Sequence, residues 1–188
     1  MASIPEFTAE GVLPVGDHPA TLAELKQSVL VVGPKNVPIG WNRRWRAELV
    51  GNLELLVPTL WAAGIEEVFV DGSFVENKHH PGDVDGYFCC DSVDYHSGQL
   101  EARLRGIDPN GVWSWAHEDR RRVEGEHRLK LPMWERYRVE LFPHFPGVLT
   151  GIRNQFGEML EFPDAFRLSR RSFIPKGIVR LLKNEVAQ

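Results

Sequence analysis

The chain has little cysteine, no long apolar run and no excess of positive charge. Its 188 residues include only two cysteines, Cys89 and Cys90, which are adjacent. Alpha carbons joined by one trans peptide bond lie too close together for an easy disulfide between them. The cysteine usage therefore fits a reducing compartment, and we expect the pair to act as two small buried apolar side chains.

The lack of long apolar runs predicts that the protein is not a membrane protein. No run approaches the roughly 20 residues needed to span a bilayer. The segment Met1–Glu6 has neither the charged region nor the apolar region of a signal peptide. We therefore expect a cytoplasmic location. The composition, 43% hydrophobic and 26% charged, is that of an ordinary globular domain, and the length suits one domain.

The formal net charge of -4 argues against a generally basic nucleic-acid-binding protein. Basic residues are nevertheless concentrated near the C-terminus, in a stretch that contains no acid between residues 165 and 183. These residues are Arg167, Arg170, Arg171, Lys176, Arg180 and Lys183. They are consistent either with a surface that binds triphosphate or RNA, or with a solvated helix face.

Helical spacing and turn signals divide the chain into an N-terminal arm, a core and a C-terminal extension. We predict an irregular arm over residues 1–20, a core over about 41–145 and a helical extension over 146–188. The main predicted helix spans 41–63, is kinked or divided at Pro58 and ends at Gly64. One further predicted helix begins at the capping box Thr21–Glu24, and three others span 97–106, 150–160 and 175–186.

The most informative stretch is Val70-Asp71-Gly72-Ser73, followed nine residues after the serine by Asp83-Val84-Asp85. Strand side chains alternate in direction, so both aspartates would project from one face and share a metal ion. Gly72 would let the backbone approach a phosphate, and a capping box predicts a short helix starting at Ser73. Because Pro81-Gly82-Asp83 also has the composition of a turn, a solvated loop remains an alternative for the aspartates.

These residues resemble the DNA polymerase beta-like nucleotidyltransferase superfamily. Its members have a Gly-Ser turn after a strand, an acid-apolar-acid motif about ten residues later and a third acid on a neighbouring strand. The close match covers about 69–88, with looser support to Phe142. The resemblance implies an α+β fold of two layers, α/β, with a small mixed β-sheet and flanking helices.

The resemblance also implies the site. Asp83, Asp85 and Glu140 would be the metal-binding and catalytic acids, holding Mg2+ or Mn2+. Glu140 replaces the usual aspartate, and an ordinary surface residue of a strand remains an alternative for it. The predicted nucleotide-binding residues are Gly72, Ser73, Lys78, Lys176 and Arg171. Of these, Lys78 is the nearest match to the basic residue that many family members use to contact phosphate.

Two functions remain open at this point. The first is a magnesium-dependent nucleotidyltransferase that moves a nucleoside monophosphate from a triphosphate, such as ATP, to a hydroxyl group. The acceptor would be RNA or tRNA, a protein or a small molecule, and by analogy with small members of the superfamily a toxin-antitoxin or defence setting is conceivable. The second is a catalytically inactive domain of the same fold that binds nucleotide or nucleic acid for regulation. The sequence does not indicate the oligomeric state.

Overall fold

The structure is a computed structural model, and it describes residues 4–108, 110–126, 128–170 and 172–183. It is an α+β fold with one five-stranded mixed sheet, a two-stranded sheet and flanking helices, as predicted. In chain order the elements are β1 (Asp17–Thr21), α1 (Leu22–Gln27), α2 (Val29–Val32), α3 (Arg43–Ala62), β2 (Val68–Asp71), a 3-10 helix (Gly72–Val75), β3 (Val84–Cys89), α4 (Ser92–His96), α5 (Gln99–Ile107), α6 (Pro132–Tyr137), β4 (Val139–His144), β5 (Leu149–Arg153), β6 (Met159–Glu161), α7 (Phe162–Phe166) and β7 (Ile178–Leu182).

The main sheet has the strand order β1-β7-β2-β3-β4. The pairs β1–β7 and β3–β4 are parallel, whereas β7–β2 and β2–β3 are antiparallel. Because β3 and β4 run in parallel, the residues at their beginnings lie at the same end of the sheet. That end also receives the end of β2, where Asp71 pairs with Asp85.

Alternating side chains of the strands enter two separate apolar clusters. Val84 and Phe88 of β3 belong to the main core, which also contains the buried faces of α1, α2, α3 and α5. Tyr87 faces the other way, into a smaller aromatic cluster with Phe69 and Phe166. The sheet is therefore covered on both faces, and the residues of β3 that share the direction of Tyr87 include Asp85.

Several helices begin and end where their sequence signals predict. Thr21 and Glu24 form the predicted capping box, with Glu24 N–H donating to Thr21 Oγ1 at 3.2 Å. The helix they start is interrupted at Ser28, which caps α2 in turn. Helix α3 includes Pro58 without being divided, and Gly64 follows it with a φ of +88°, a conformation that favours glycine.

The N-terminal and C-terminal predictions need correction. Residues 17–21 of the supposed irregular arm form β1, which pairs in parallel with β7. The helix predicted over 150–160 is a β-hairpin, β5–β6, and the described part of the segment 175–186 contains strand β7 instead of a helix. The helical extension is thus largely β-structure, because pairing with β1 and β2 outweighs the local apolar spacing that suggested helices.

A buried arginine ties helix α3 to the loop that leads into β3. Arg46 has no exposed surface, and its guanidinium donates to the carbonyl oxygens of Leu30, Phe74, Glu76 and Lys78 at 2.6 to 2.9 Å. It also lies 4.1 Å from the centre of the Trp41 ring, within cation–π range. Three of these carbonyls belong to the segment between the Gly-Ser turn and the aspartates, so Arg46 positions that segment.

Replacing Arg46 by methionine should therefore lower the free energy of unfolding by about 3 kcal/mol or more, because four buried carbonyl groups lose their donors together. Urea denaturation followed by circular dichroism measures the change. Arg44→Met is the matched control: Arg44 is exposed on the same helix, so its loss should change stability by less than about 0.5 kcal/mol. Equal effects of the two substitutions would contradict the role of Arg46.

Candidate functional site

Three carboxylates meet at the end of the sheet where β3 and β4 begin. Asp85 of β3 is the direct partner of Glu140 of β4 in the parallel ladder, and Asp83 lies just before β3. One oxygen from each of the three carboxylates lies within 4.8 Å of the other two. The expectation that Glu140 meets the two aspartates is confirmed as geometry. Asp85 is a strand residue, whereas Asp83 lies in the loop just before β3, where its side chain is only 16% exposed.

A lysine ammonium bridges two of these acids. Lys130 Nζ lies 2.8 Å from Asp83 Oδ2 and 3.0 Å from Glu140 Oε2. The side chains of Lys130, Asp83 and Glu140 are only 12%, 16% and 9% exposed, so these ion pairs are largely shielded from water. Burial opposes the charge of Lys130, but hydrogen bonds and attraction to Asp83 and Glu140 raise its pKa above the ordinary value. The lysine is therefore firmly protonated.

Neighbouring donors orient the same two carboxylates. Trp134 Nε1 donates to Asp83 Oδ2 at 2.7 Å, and the Leu131 backbone N–H donates to Glu140 Oε1 at 2.9 Å. Both donors lie in or beside α6, which begins at Pro132. The segment 130–134 thus supplies every hydrogen bond that the described residues make to the carboxylates of Asp83 and Glu140.

Asp85 is not ion-paired within the described part of the chain. None of the described residues donates a hydrogen bond to its carboxylate, and burial together with the nearby charges of Asp83 and Glu140 raises its pKa to about 7, although the nearby charge of Lys130 lowers it in part. The cluster therefore carries more negative charge than Lys130 alone can balance.

Gly72 makes room for the Asp85 carboxylate. A Cβ at position 72 would collide with Asp85 Oδ2 and would lie 3.0 Å from Asp85 Cβ, and the φ of Gly72 is +72°. Both facts require glycine. The 3-10 helix begins at Gly72 after Asp71, and Asp71 makes no side-chain capping hydrogen bond, so the predicted capping box at Ser73 is not the device that starts it.

Lys176 supports the Gly-Ser turn from inside the protein. Its ammonium donates to the Gly72 carbonyl at 3.1 Å and pairs with Asp71 at 3.2 Å and Glu76 at 2.8 Å. Lys176 and Asp71 are 2% and 1% exposed. Burial raises the pKa of Asp71 to about 7, although Lys176 opposes this shift. The prediction that Lys176 contacts phosphate from a helix start is wrong, because the residue is buried before β7 and already has three partners.

The remaining predicted nucleotide-binding residues differ in position. Ser73 lies within the 3-10 helix, half-buried beside Gly72. Lys78 is exposed on the loop after that helix; its carbonyl accepts from Arg46 and its backbone N–H donates to the Glu76 carbonyl. Arg171 lies outside the described residues. In the surrounding basic stretch, Arg167 pairs with Asp17 at 2.6 Å and Arg180 with Glu67 at 3.4 Å, so these two guanidinium groups are occupied.

Other polar residues near the motif have structural roles. Asp91 caps α4 and Asp94 pairs with Arg103, so neither replaces Glu140 as the third acid. Cys89 and Cys90 are free thiols, and burial raises the pKa of both to about 11, which makes them poor nucleophiles at neutral pH.

The sequence analysis missed Lys130 and Trp134. Residues 118–130, here called the polar excursion, have no clear apolar stripe, so their sequence predicts an exposed segment, and most of those that the structure describes are exposed. Lys130 differs because its backbone pairs with Arg121 in an isolated bridge, which brings the end of the excursion back to the acids. Pro132 at the first position of α6 was the available signal that a helix starts beside Lys130.

An open cleft of about 660 Å3 lies along the same polar excursion, lined by Arg105, Ser114, Asp119, Arg120 and Arg121 among others. Its arginines are largely paired: Arg105 contacts Glu101 at 2.6 Å and Asp119 at 3.7 Å, and Arg121 contacts Glu135 at 3.6 Å. The cleft is therefore close to neutral, and we assign it no role in binding anions.

Comparison with known families gives one match. A family model described as a family of unknown function, DUF6932, matches residues 5–182. The chain belongs to DUF6932. No curated protein and no solved structure matches this DUF6932 chain significantly. Among its described residues, no helix is long and apolar enough to cross a membrane.

The donor set of this DUF6932 chain suits a hard divalent cation. Carboxylate oxygens are the preferred protein ligands of Mg2+ and Mn2+, and two oxygens bound to one such ion lie about 3 to 4 Å apart. The three acids are already gathered within 4.8 Å, and a cation, the Lys130 ammonium, is held between two of them. The site thus has the charge and the oxygens that a divalent cation requires.

Gly72→Ala should lower the free energy of unfolding by about 1 to 3 kcal/mol, because the added Cβ collides with Asp85 and the backbone is left-handed at this position. Urea denaturation measures the effect. Gly82→Ala is the control, since a Cβ at Gly82 meets nothing within 4 Å and its φ is not positive. If both variants are as stable as the original chain, the close approach of Gly72 to Asp85 is wrong.

Asp85→Asn should stabilise the metal-free protein, and increasingly so as the pH rises from about 4 to about 7. The pKa of Asp85 is about 7 when folded and 3.8 ordinarily, so the original chain loses stability across this interval while the unfolded carboxyl is ionised. Above pH 7 the difference should level off at about 1 kcal/mol or more.

Urea denaturation in EDTA at pH 5 and pH 8 tests this expectation. Asp94→Asn is the control, because its ion pair with Arg103 is exposed and should contribute little at either pH. A stability gain for Asp85→Asn that is the same at both values, or a loss at pH 8, would count against the charge repulsion inferred for Asp85.

Proposed function

We propose that this DUF6932 chain is a magnesium-dependent nucleotidyltransferase that transfers a nucleoside monophosphate from a nucleoside triphosphate to a hydroxyl acceptor. The observation that carries the proposal is the convergence of Asp83, Asp85 and Glu140 from β3 and β4 beside the Gly72-Ser73 turn. A pair of acids near the start of a strand is common in proteins. Here the pair supports a catalytic role because the third acid and the glycine turn lie beside it.

The three acids would hold the cation. Asp83 and Asp85 flank Val84, which is buried in the main core, so the strand fixes both side chains relative to each other. Glu140 is fixed by its register opposite Asp85 and by the Leu131 N–H. When bound, Mg2+ supplies charge neutralisation on the phosphates and lowers the pKa of the attacking hydroxyl group.

Other residues would place the triphosphate. Gly72 has no side chain, so its backbone and that of Ser73 stay accessible beside Asp85 for phosphate oxygens. The segment is held from inside by Lys176, which donates to the Gly72 carbonyl, and by Arg46, which donates to the Phe74 carbonyl. Lys78, exposed on the loop that follows, is the basic residue that the resemblance assigns to phosphate.

The proposal includes three classes of acceptor and one biological setting. RNA such as tRNA, a protein partner or a small molecule would each present a hydroxyl group. A cytoplasmic location agrees with the free thiols of Cys89 and Cys90, since reduced cysteines are usual in that compartment. A toxin-antitoxin role rests only on the family resemblance.

One observation favours the alternative of an inactive binding domain. The Lys130 ammonium forms short ion pairs with two of the three acids, so the fold carries its own cation at this position. In an inactive domain, Lys130 would remain there permanently, and nucleotide would bind without turnover. Metal binding and label transfer therefore have to be measured separately.

The activity test incubates the protein with each of the four α-labelled nucleoside triphosphates, Mg2+ or Mn2+, and either tRNA or total protein. Asp83→Asn and Asp85→Asn should each reduce transfer by about 1000-fold, since they remove the ligands of an ion that contributes several kcal/mol. Asp94→Asn is the matched control and should keep full activity, because Asp94 is exposed and paired with Arg103.

The two functions give different results. Label on an acceptor that disappears in the Asp83 and Asp85 variants supports the transferase. Metal-dependent binding of a triphosphate without pyrophosphate release supports the inactive domain. If the protein neither binds a triphosphate nor transfers label with any of these acceptors, the nucleotide proposal itself is wrong.

A further inference from the structure

Lys130 holds two of the three carboxylates that a cation at this site would use as ligands. Its Nζ is 2.8 Å from Asp83 Oδ2 and 3.0 Å from Glu140 Oε2, and both oxygens belong to carboxylates of the proposed metal centre. The ammonium also lies 5.0 Å from the centre of the Trp134 ring. A lysine this well shielded needs a reason, because Lys is rarely buried unless it is paired.

The charges at the site are not balanced by Lys130. Asp83, Asp85 and Glu140 contribute three carboxylates, and Asp85 has no donor among the described residues. One ammonium carries a single positive charge and reaches two of the acids. A divalent cation carries two charges and can be ligated by all three, so it matches the cluster better than the ammonium does.

The ammonium and a divalent cation cannot share the position. An ion ligated by Asp83 Oδ2 and Glu140 Oε2, the two oxygens that now hold the ammonium, would have to lie beside Lys130 Nζ. Two positive charges so close together in a shielded site repel each other by more free energy than either hydrogen bond contributes. Binding of one therefore requires the other to move.

The surroundings allow Lys130 to move without disturbing the acids. Its backbone stays fixed through the bridge to Arg121, while Leu131 N–H and Trp134 Nε1 hold Glu140 and Asp83 independently of the ammonium. Glu126 Oε2 already lies 3.8 Å from Lys130 Nζ and is 40% exposed. The side chain thus has a third carboxylate, on the solvent side, that can pair with the displaced ammonium.

We propose that Lys130 holds the cation position between Asp83 and Glu140 in the metal-free protein and leaves it for Glu126 when a divalent cation binds. Lys130 is then a positioning residue. It reduces the repulsion between Asp83 and Glu140 in the metal-free protein, and it sets the metal affinity of the centre. This inference rests on the metal-binding part of the proposed function and not on the transfer reaction.

The first experiment compares Mn2+ binding by isothermal titration to the original chain, Lys130→Met and Lys130→Gln. Removing the competing ammonium should tighten Mn2+ binding at least tenfold in both variants. Lys26→Met is the control, because Lys26 pairs with Glu54 at the surface and should leave the affinity unchanged. Adding Asp85→Asn to Lys130→Met should abolish the gain, which places the ion at these acids.

The second experiment uses the original chain and does not depend on the folding of a variant. Lysine acetylation by a brief reagent pulse is followed by mass spectrometry with and without Mg2+. Lys130 should be protected without metal and become several-fold more reactive with it. Lys176, buried with three partners, should stay protected in both states, and exposed Lys26 should react equally in both.

The outcomes separate this inference from the proposed function. Tighter Mn2+ binding in the variants and metal-dependent exposure of Lys130 support it. If the original chain binds Mn2+ while the variants bind it equally or more weakly and Lys130 stays protected, the exchange is wrong and the metal centre stands. If no form binds metal, the metal centre and the exchange both fail.

Discussion

Like charges held close together are the constraint on which this structure depends. Asp83, Asp85 and Glu140 have oxygens within 4.8 Å of one another at one end of the sheet. The strand register leaves no alternative, because Asp85 and Glu140 are paired residues of adjacent parallel strands. The fold offsets this repulsion with the Lys130 ammonium and with hydrogen bonds from Leu131 and Trp134. The repulsion that remains, together with burial, raises the pKa of Asp85.

Two further buried cations stabilise the surroundings of the acids. Lys176 joins the start of β7 to the Gly72 carbonyl and to Asp71, and Arg46 joins α3 to the loop that runs from the 3-10 helix toward Asp83. Each cation is paired with carbonyl or carboxylate oxygens, as buried charges usually are, and only the Nε of Arg46 has no partner among the described residues. They hold the glycine turn and the acidic strand from separate elements, so the site has the rigid support that a preorganised centre needs.

The acid cluster on which the proposed activity depends also lowers the stability of the fold. A cluster of unbalanced carboxylates is unfavourable for stability, and such arrangements persist where a ligand uses them. The DUF6932 match, over residues 5–182, includes all three acids and the elements that hold them. If the proposed metal centre exists, Lys130 would offset part of the repulsion among the acids in the metal-free protein and so help the domain to remain stable without the ion.

Much of the site could be predicted from local sequence, because the chemistry of Asp83, Asp85 and Gly72 depends on short-range geometry. Alternation along one strand places both aspartates on one face, and a left-handed turn selects glycine. Helix α3 and the cap of α1 were predicted for the same reason, since spacing and capping act over a few residues. The errors are at the ends of the chain, where β1 and β7 pair across about 160 residues of sequence and local patterns carry no record of the partner.

The sequence by itself determined the pair of aspartates and the glycine turn before them, because these follow from patterns within one element, and the resemblance that these residues carry implied the α+β class. Only the tertiary structure decided that Glu140 joins the aspartates, that Lys176 is a buried support instead of a phosphate ligand, and that Lys130 lies among the acids. Each of these contacts joins residues on different elements. Strand register and the path of the 118–130 excursion set such contacts, and both arise from packing of the whole chain.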